Sequence, residues 1–387
     1  LARQHFEGLA PMAASAGVRI ELLTGRDKGR ERARKLGDLA GGQIDILIGT
    51  HAVFQKDVAF SDLRLAVIDE QHRFGVAQRM ALGEKGARAH VLVVGAGGLG
   101  VPALQYLVGA GVGRITLVDG DRVAAHNLHR QPLYRMDQMG EPKAQAAASA
   151  LAALNPEVTV MPVCHMLNPA NAPALVAAAD IVLDCADTFA AGLTLSDICH
   201  AQGKPLITAS ALALAGYVAG CCGGAPSLRA IFPDLPERGA TCATAGVMGP
   251  VVAAVGSLQA QMTLSVLLGF APSPLGQLVS LDAANWRMGG FRFDRAPEPE
   301  RVLSFISRNQ TRPDDLLIDL RTEAPPFCAD ARHIPPEQIA TVDPPVGARV
   351  VLACSTGLRA HNAGQTLQSF WPGEIALLAL TDLKELV

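Results

Sequence analysis

The chain has 387 residues, of which 49% are hydrophobic and 18% charged, and its formal net charge at pH 7 is −3. This length and composition predict two or three globular domains and exclude a disordered chain, and the charge gives no global basic field for nucleic acid. The eight cysteines form no CxxC pair and no secretory signal occurs, so the sequence favours a reducing cytoplasm over a disulfide framework.

Residues 1–88 alternate between strand and helix patterns, as in a parallel α/β structure. Strands are predicted over residues 18–25, 43–54 and 63–70, and an amphipathic helix is predicted over residues 28–40. The last of these strands ends in Asp69 and Glu70, an acidic pair of the kind that holds Mg²⁺ in helicase motors.

The same segment resembles the RecG family of DNA helicases through "LLTG", "IGTHAVFQKDV" and "VIDEQHRFGVAQRMALGEKG". The resemblance implies part of a RecA-like motor lobe. Such a motor needs a GxxxxGK[ST] loop to cradle the phosphates of ATP, and that pattern occurs nowhere in the sequence. We therefore interpret residues 1–88 as an incomplete helicase fragment in which Asp69 and Glu70 have no ATP to act on.

The stretch "HVLVVGAGGLGVPALQYLVGAGVGRITLVDGD", residues 90–121, predicts a strand, a glycine turn, a helix and a second strand. In the dinucleotide fingerprint, Gly95 permits the tight turn, Gly97 admits phosphate to the backbone, and Gly100 lets the helix pack on the strand. Asp119 ends the second strand, where a carboxylate can hydrogen-bond a ribose.

Two cations, Arg130 and Lys143, follow this unit. A site that cleaves ATP between the α and β phosphates needs such cations, because negative charge grows on the departing pyrophosphate. A hydride-transfer site does not need them, so the pair argues against an NAD oxidoreductase.

Residues 89–290 resemble the ThiF/MoeB/HesA family, the bacterial relatives of ubiquitin-activating enzymes. The resemblance rests on "GAGGLG", "LVDGD", "NLHRQ", "GEPKA", "DIVLDCADT", "PLITASA" and "TCATAGVMGPVVAAVGSLQA". It implies a Rossmann-like fold with a parallel sheet, in a homodimer that uses ATP and Mg²⁺. The implied reaction is adenylation of the C-terminal glycine of a ubiquitin-like sulfur carrier that ends in Gly-Gly.

The resemblance also implies residue roles. The implied nucleotide-binding residues are Gly98 and its neighbours at the phosphates, Asp119 at the ribose, Asn127 and Arg130 at the triphosphate, Lys143 as a neutralising cation, and Asp187 as the Mg²⁺ ligand. Thr188 stands where the family usually has Asn. Cys242, in "GATCATAG", matches a cysteine that takes the activated acyl group as a thioester or an acyl persulfide.

Two features depart from the family pattern. The family often binds zinc through two CxxC pairs, which here would fall at residues 227–230 ("SLRA") and 297–302 ("PEPERV"); neither holds a cysteine, so no zinc is expected. The family's opening arm, whose arginine reaches the ATP of the partner subunit, is replaced by the helicase-like fragment.

The end of the chain has a different pattern. Residues 291–310 predict a linker rich in Pro and charge, and "LLIDLRTE", "HIPPEQI" and "RVVLACSTGLRAHNAGQTL" in residues 311–387 resemble rhodanese. Cys354, Gly357 and Arg359 form a Cys-x-x-Gly-x-Arg loop, which would aim backbone N–H groups and a helix N-terminus at a persulfide. The resemblance implies a short rhodanese-like α/β domain supplied by a sulfur donor such as a cysteine desulfurase.

An uncharged run covers residues 239–281. Pro250, Gln259 and Gln261 interrupt it, so no segment is apolar over a full bilayer crossing. We predict a buried helix and strand here, and no membrane span.

The sequence therefore favours an enzyme that activates a ubiquitin-like sulfur carrier with ATP and transfers sulfur to it through a cysteine persulfide. The main alternative is an inactive fusion that binds ATP or the carrier without turnover, which the missing arm favours. A remnant DNA helicase is a further alternative, which the absent phosphate loop opposes.

Overall fold

The computed structural model describes residues 2–25, 27–49, 53, 58–64, 89–236, 246–322 and 324–380. They belong to two compact units, Leu1–Arg73 and Phe74–Val387. The acidic pair Asp69 and Glu70 and the predicted acyl acceptor Cys242 lie outside the described residues.

The first unit contains a small parallel pair of strands. Its elements are α1 (Ala2–Ser15), β1 (Ile20–Leu23), α2 (Gly29–Ala40) and β2 (Ile46–Gly49). The ammonium of Lys35, which is 7% exposed, donates to the carbonyl of Leu22 at 2.7 Å and to Asp27 at 2.8 Å, so its charge is compensated inside the unit. The predicted first two strands and the helix are confirmed; most of the third, at 63–70, lies outside the described residues.

The second unit is built on an eight-stranded sheet. Its strands are β3 (His90–Val94), β4 (Arg114–Val118), β5 (Thr159–Val163), β6 (Ile181–Asp184), β7 (Pro205–Leu212), β8 (Ala215–Cys222), β9 (Gln277–Asp282) and β10 (Arg287–Arg292). Their order is β10-β9-β8-β7-β6-β3-β4-β5. The five strands from β7 to β5 are parallel, as the sequence predicts, whereas β8, β9 and β10 add an antiparallel edge that it does not.

Helices flank this sheet, and its central strands are buried and apolar on both faces. The helices are α3 (Gly100–Ala110), α4 (Lys143–Leu154), α5 (Ala172–Ala178), α6 (Phe189–Gln202), α7 (Leu228–Ile231) and α8 (Gly249–Leu268). Val91, Leu92 and Val93 in β3 are fully buried, as expected for a parallel strand with helices on both faces.

The uncharged run forms α8 and β9, so the predicted helix and strand are confirmed. By length and composition, α8 alone among the described helices could cross a membrane. In this fold it packs on α3 and on β7 and β8, and Val255 and Gln259 on it are fully buried.

A second sheet follows the first. It consists of five parallel strands, β11 (Ser304–Ile306), β12 (Leu316–Asp319), β13 (Arg332–His333), β14 (Arg349–Cys354) and β15 (Glu374–Ala379), in the order β11-β15-β14-β12-β13. Helix α9 (Leu358–Gln368) packs on β14 and β15.

The predicted linker is only partly a linker, because Ser304–Ile306 form β11 of the second sheet. Leu303 and Phe305 are buried in one hydrophobic cluster that also contains Leu206 of the first sheet and Leu352 of the second. The Pro- and charge-rich residues 295–301 match the linker pattern, but the apolar residues that follow continue into the shared core.

The two segments where cysteine pairs would fall do meet. Glu298 accepts hydrogen bonds from the Ser227 backbone at 2.7 Å and from the Ser227 hydroxyl at 2.5 Å, and the Arg229 guanidinium donates to the carbonyl of Leu303 at 2.9 Å. Arg229 also pairs with Asp197 at 2.6 Å. These hydroxyl, guanidinium and carboxylate groups do not fit a tetrahedral thiolate site for zinc, and no group of three or more His, Cys, Asp or Glu that could hold a metal occurs in the part of the chain that the structure describes.

We predict that Glu298→Ala lowers the free energy of unfolding by about 1–2 kcal/mol, because Ser227, which is 3% exposed, is left with two unsatisfied donors. Urea denaturation measures the change. Glu300→Ala, in the same segment, is the control and should be near neutral, and a metal chelator should not shift the midpoint of either protein. An equal effect of the two substitutions would contradict this role of Glu298.

Candidate functional site

The glycine turn joins β3 to α3. Gly95 has a φ of +101°, and a Cβ built on it would lie 2.5 Å from the carbonyl oxygen of Cys185. A Cβ on Gly100 would overlap the carbonyl oxygen of Gly95. Both positions therefore require glycine, one for the turn and one for the close approach of α3 to β3.

The middle of the turn is more open. A Cβ on Gly97 would meet only the side-chain nitrogen of Gln131, at 3.5 Å, whereas one on Gly98 would lie 3.1 Å from Val252 and 3.6 Å from Arg130. A ligand can therefore approach the backbone at Gly97, with Arg130 beside the turn.

Asp119 lies at the end of β4 and fastens this turn. Its carboxylate accepts hydrogen bonds from the backbone N–H of Ala96 at 2.6 Å and of Asp121 at 2.8 Å. Burial raises the pKa of Asp119, although the nearby charge of Lys143 opposes the shift. The structure thus gives Asp119 a role in shaping the turn, and its ribose contact stays a prediction.

Lys143 is buried at the start of α4, with 4% of its surface exposed. Its ammonium pairs with Asp121 at 2.9 Å, and its backbone N–H donates to the Asp121 carbonyl at 2.9 Å. The sequence analysis did not select Asp121, although it stands inside the "LVDGD" motif. The pairing holds the Lys143 charge near the carboxyl end of β4.

Asn127 and Arg130 lie on one short stretch. Asn127 is 7% exposed, and its side-chain oxygen accepts from the Arg130 guanidinium at 3.1 Å. Next to them, Gln131 is 3% exposed, and its side-chain oxygen has no hydrogen-bond partner among the described residues. Gln131 also was not selected, although it closes the "NLHRQ" motif.

Asp187 and Thr188 follow β6. Asp187 is exposed, and Thr188 is the N-cap of α6, where its hydroxyl accepts from the backbone N–H of Ala191 at 3.3 Å. Strand β3 adjoins both β4 and β6, so the chain leaves β3 and β6 in opposite directions across the sheet. Ligands of open α/β sheets bind at such a switch point, which here has the glycine turn on one side and Asp187 on the other.

Behind Asp187 lies a buried polar network that the sequence analysis missed. Asp184, 4% exposed, accepts from the hydroxyl of Thr208 at 2.9 Å and from the backbone N–H of Ala186 at 3.2 Å. Gln259 of α8 donates to the carbonyl of Asp184 at 2.8 Å, so it ties the helix to the sheet. Burial raises the pKa of Asp184 to about 6, and the nearby Asp187 adds to the shift.

The Cys354 loop is a second cluster. Cys354 ends β14 and is 1% exposed, and its sulfur accepts from the backbone N–H of Gly357 at 3.2 Å and of Ala360 at 3.3 Å. Gly357 has a φ of +89°, and Arg359 is exposed at the start of α9. Two N–H groups directed at one sulfur suit an anionic persulfide, a role that stays a prediction.

Comparison with known proteins finds two family models that match parts of the chain. The ThiF family model matches residues 70–301, and a DEAD/DEAH box helicase model matches residues 1–91. A sulfur carrier protein adenylyltransferase of Thermus thermophilus is 45% identical over 52% of this chain and 77% of its own length. The molybdopterin-synthase adenylyltransferase of Escherichia coli is 37% identical over 54% of this chain and 85% of its own length.

A longer relative and a solved structure add to this. The adenylyltransferase and sulfurtransferase MOCS3 of Bos taurus is 44% identical over 53% of this chain, but the match covers only 45% of that protein. A crystal structure of Escherichia coli MccB with MccA-N7isoASN has a TM-score of 0.52 and 18% identity, covering 59% of this chain and 74% of its own. At that identity the likeness concerns the fold alone.

The raised pKa of Asp184 predicts a pH-dependent stability. Its pKa is about 6 in the folded chain against 3.8 ordinarily, so the folded state holds this proton more tightly than the unfolded state. Its contribution is fully present below about pH 4 and is lost as the pH rises through about 6. Asp184→Asn, which cannot ionise, should therefore be more stable than the parent at pH 8, by up to about 3 kcal/mol.

Urea denaturation at pH 5 and pH 8 measures this difference. Glu157→Gln is the control, because this carboxylate is exposed and is not among the groups that shift the pKa of Asp184, so it should show little pH-dependent gain. A stability gain for Asp184→Asn that is the same at both pH values would contradict the assigned ionisation.

Proposed function

Because the chain belongs to the ThiF family, we propose that this nucleotidyltransferase activates the C-terminal glycine of a ubiquitin-like sulfur carrier with ATP and then transfers sulfur to it through a cysteine persulfide. The observation that carries the proposal is the meeting of the glycine turn, Asp119, Arg130 and Lys143 at the carboxyl ends of β3 and β4. The two larger sheets both belong to the second compact unit. The first sheet supplies the adenylation site and the second supplies the persulfide loop.

In the first step, a carboxylate oxygen of the carrier's terminal glycine attacks the α phosphorus of ATP, and pyrophosphate leaves. Gly97 and Gly98 bring the backbone and the N-terminus of α3 to the phosphates. Arg130 and Lys143 offset the charge that grows on pyrophosphate, with Asn127 orienting Arg130.

Asp187 is the residue that would hold Mg²⁺, since its exposed carboxylate lies at the switch point and oxygen ligands suit this ion. Mg²⁺ bound there would neutralise part of the triphosphate charge. Thr188 contributes as the N-cap of α6, which fixes the backbone beside Asp187.

In the second step, the outer sulfur of a Cys354 persulfide attacks the carbonyl carbon of the acyl adenylate, a C–S bond forms, and AMP leaves. A donor such as a cysteine desulfurase loads the outer sulfur, and the N–H groups of Gly357 and Ala360 stabilise the anion, with Arg359 at the rim. Cys242 then accepts the acyl group as a thioester or an acyl persulfide, a role that rests on its sequence motif alone.

The relatives described above are named as transferases, which favours turnover over an inactive fusion. We propose that the chain works in the cytoplasm as a homodimer on a carrier ending in Gly-Gly, and that neither a membrane nor nucleic acid is a partner. The helicase-like segment takes no part in the reaction.

Loss of either charged contact should slow adenylation strongly. We expect Asp187→Ala and Arg130→Ala each to slow ATP–pyrophosphate exchange with a Gly-Gly carrier roughly a hundredfold, about 3 kcal/mol, as is usual for one preorganised contact at a reacting group. Arg135→Ala removes an exposed arginine five residues away and should leave the exchange unchanged. Full exchange in both site variants would show that the pocket is misassigned.

Substitution of Cys354 and of Cys242 should affect different steps of the reaction. Cys354→Ser should remove the cyanide-releasable sulfur that forms with a sulfur donor and leave pyrophosphate exchange intact, because the persulfide loop is not part of the nucleotide pocket. Cys242→Ser should keep the sulfur load on Cys354 and stop formation of the carrier adduct that is bonded to Cys242. Intact-protein mass spectrometry, after donor and then after carrier and ATP, measures both.

Cys328→Ser is the control, because this half-exposed thiol of the same domain has no such loop. A persulfide on Cys221 or Cys222, with Cys354 unmodified, would overturn the rhodanese-like assignment.

A further inference from the structure

The Cys354 loop packs directly against the nucleotide-binding domain. A Cβ on Gly357 would lie 2.7 Å from the ring of Phe305 and 2.9 Å from the Cβ of Ala190. Ala190 is in the first turn of α6, three residues after Asp187. Gly357, which donates to the Cys354 sulfur, therefore lies against the helix that begins two residues after the proposed Mg²⁺ ligand.

Polar contacts fix the same orientation from a second side. Asn362 of α9 donates to the carbonyl of Pro236 at 3.1 Å, and Gln365 donates to Asp234 at 3.2 Å. Together with the shared hydrophobic cluster through Leu303 and Phe305, these contacts hold the second sheet in one position on the first.

A cleft of about 90 Å³ lies between the two domains. Thr188 and Ala191 of α6 line one wall, and Ser307 and Leu380 line the other. Leu380 donates its backbone N–H to the carbonyl of Cys354 at 2.9 Å. The cleft thus extends from Thr188, the residue after Asp187, to Leu380, which is hydrogen-bonded to the backbone of Cys354.

We propose that sulfur passes within a single chain, from Cys354 to an acyl adenylate held at Asp187 of the same chain, with the carrier's extended C-terminal tail in this cleft. This inference rests on the proposed function. Two glycines have no side chains, so a tail of this kind fits a narrow cleft, and the Thr188 hydroxyl, which accepts a hydrogen bond from Ala191, can donate its proton to the tail's backbone.

The transfer is balanced as follows. The terminal sulfur of the Cys354 persulfide anion attacks the carbonyl carbon of the acyl adenylate, a C–S bond forms, and AMP leaves with the electron pair of the C–O bond. The product is an acyl disulfide on Cys354. A second thiol then attacks the Cys354 sulfur, which releases the carrier thiocarboxylate and leaves a mixed disulfide on Cys354.

Mixed dimers test whether the two sites of one chain work together. Asp187→Ala and Cys354→Ser chains carrying different tags are co-expressed and purified through both tags, then supplied with sulfur donor, carrier, ATP and a thiol. Transfer within a chain predicts no more thiocarboxylate than the separate parents make. Thiocarboxylate well above the parents would mean transfer between chains and would overturn the proposal.

Assays of the two single variants distinguish a failure of this proposal from a failure of the proposed function. Cys354→Ser must show pyrophosphate exchange, and Asp187→Ala must show cyanide-releasable sulfur; failure of either half-reaction would count against the proposed function and not against transfer within a chain.

Closure of the cleft gives a second test. Ala190→Leu should push the Cys354 loop away from α6, so thiocarboxylate formation should fall at least tenfold while exchange and sulfur loading both remain. Ala201→Leu is the same substitution at an exposed position of the same helix and should change none of the three. Undiminished thiocarboxylate formation by Ala190→Leu would contradict the proposed path.

Discussion

The approach of Gly100 to the carbonyl oxygen of Gly95 is the constraint on which the proposed nucleotide site depends, because no side chain fits there. It draws the first turn of α3 onto the end of β3. Asp119 accepts a hydrogen bond from the backbone N–H of Ala96. The end of β4 therefore holds the loop that follows β3. Arg130 lies next to Gly98, so its position depends on the conformation of this turn.

Local patterns account for the parts of the fold that the sequence predicts. The glycine spacing, the apolar strands and the acidic strand end at Asp119 are each encoded within a few residues, and so is the loop around Cys354. Long-range pairings had no such signal. The burial of Asp184 beneath α8, and the meeting of Ser227 with Glu298 across 71 positions, follow only from the folded chain. The sequence indicated Gln259 only as a break in an apolar run. In the structure it is fully buried, and its side chain joins helix α8 to the sheet by a hydrogen bond to the carbonyl of Ile207. The roles given to the site residues stay predictions.

Buried charge in the second unit is compensated in most places. Lys143 pairs with Asp121, and Arg349, 7% exposed, pairs with Asp315 at 2.7 Å. Asp184 differs, because its donors among the described residues are a hydroxyl and a backbone N–H and not a cation, and its carboxylate keeps a raised pKa. An acid that resists ionisation directly behind the proposed metal ligand reduces the stability of the fold near neutral pH, in the region where a nucleotide and its counterion would add favourable contacts. Stability is commonly lower at binding sites for this reason.

The order of the strands in the second sheet has a consequence for how the chain is made. Strand β15 lies between β11 and β14, although it is the last of the three along the chain. During synthesis, β11 leaves the ribosome long before its neighbour exists, and Phe305 pairs with Leu377 only after residues 374–379 have emerged. The chain must therefore carry an unpaired strand and an open apolar surface through the translation of the whole C-terminal region, a state in which a nascent protein depends on chaperones.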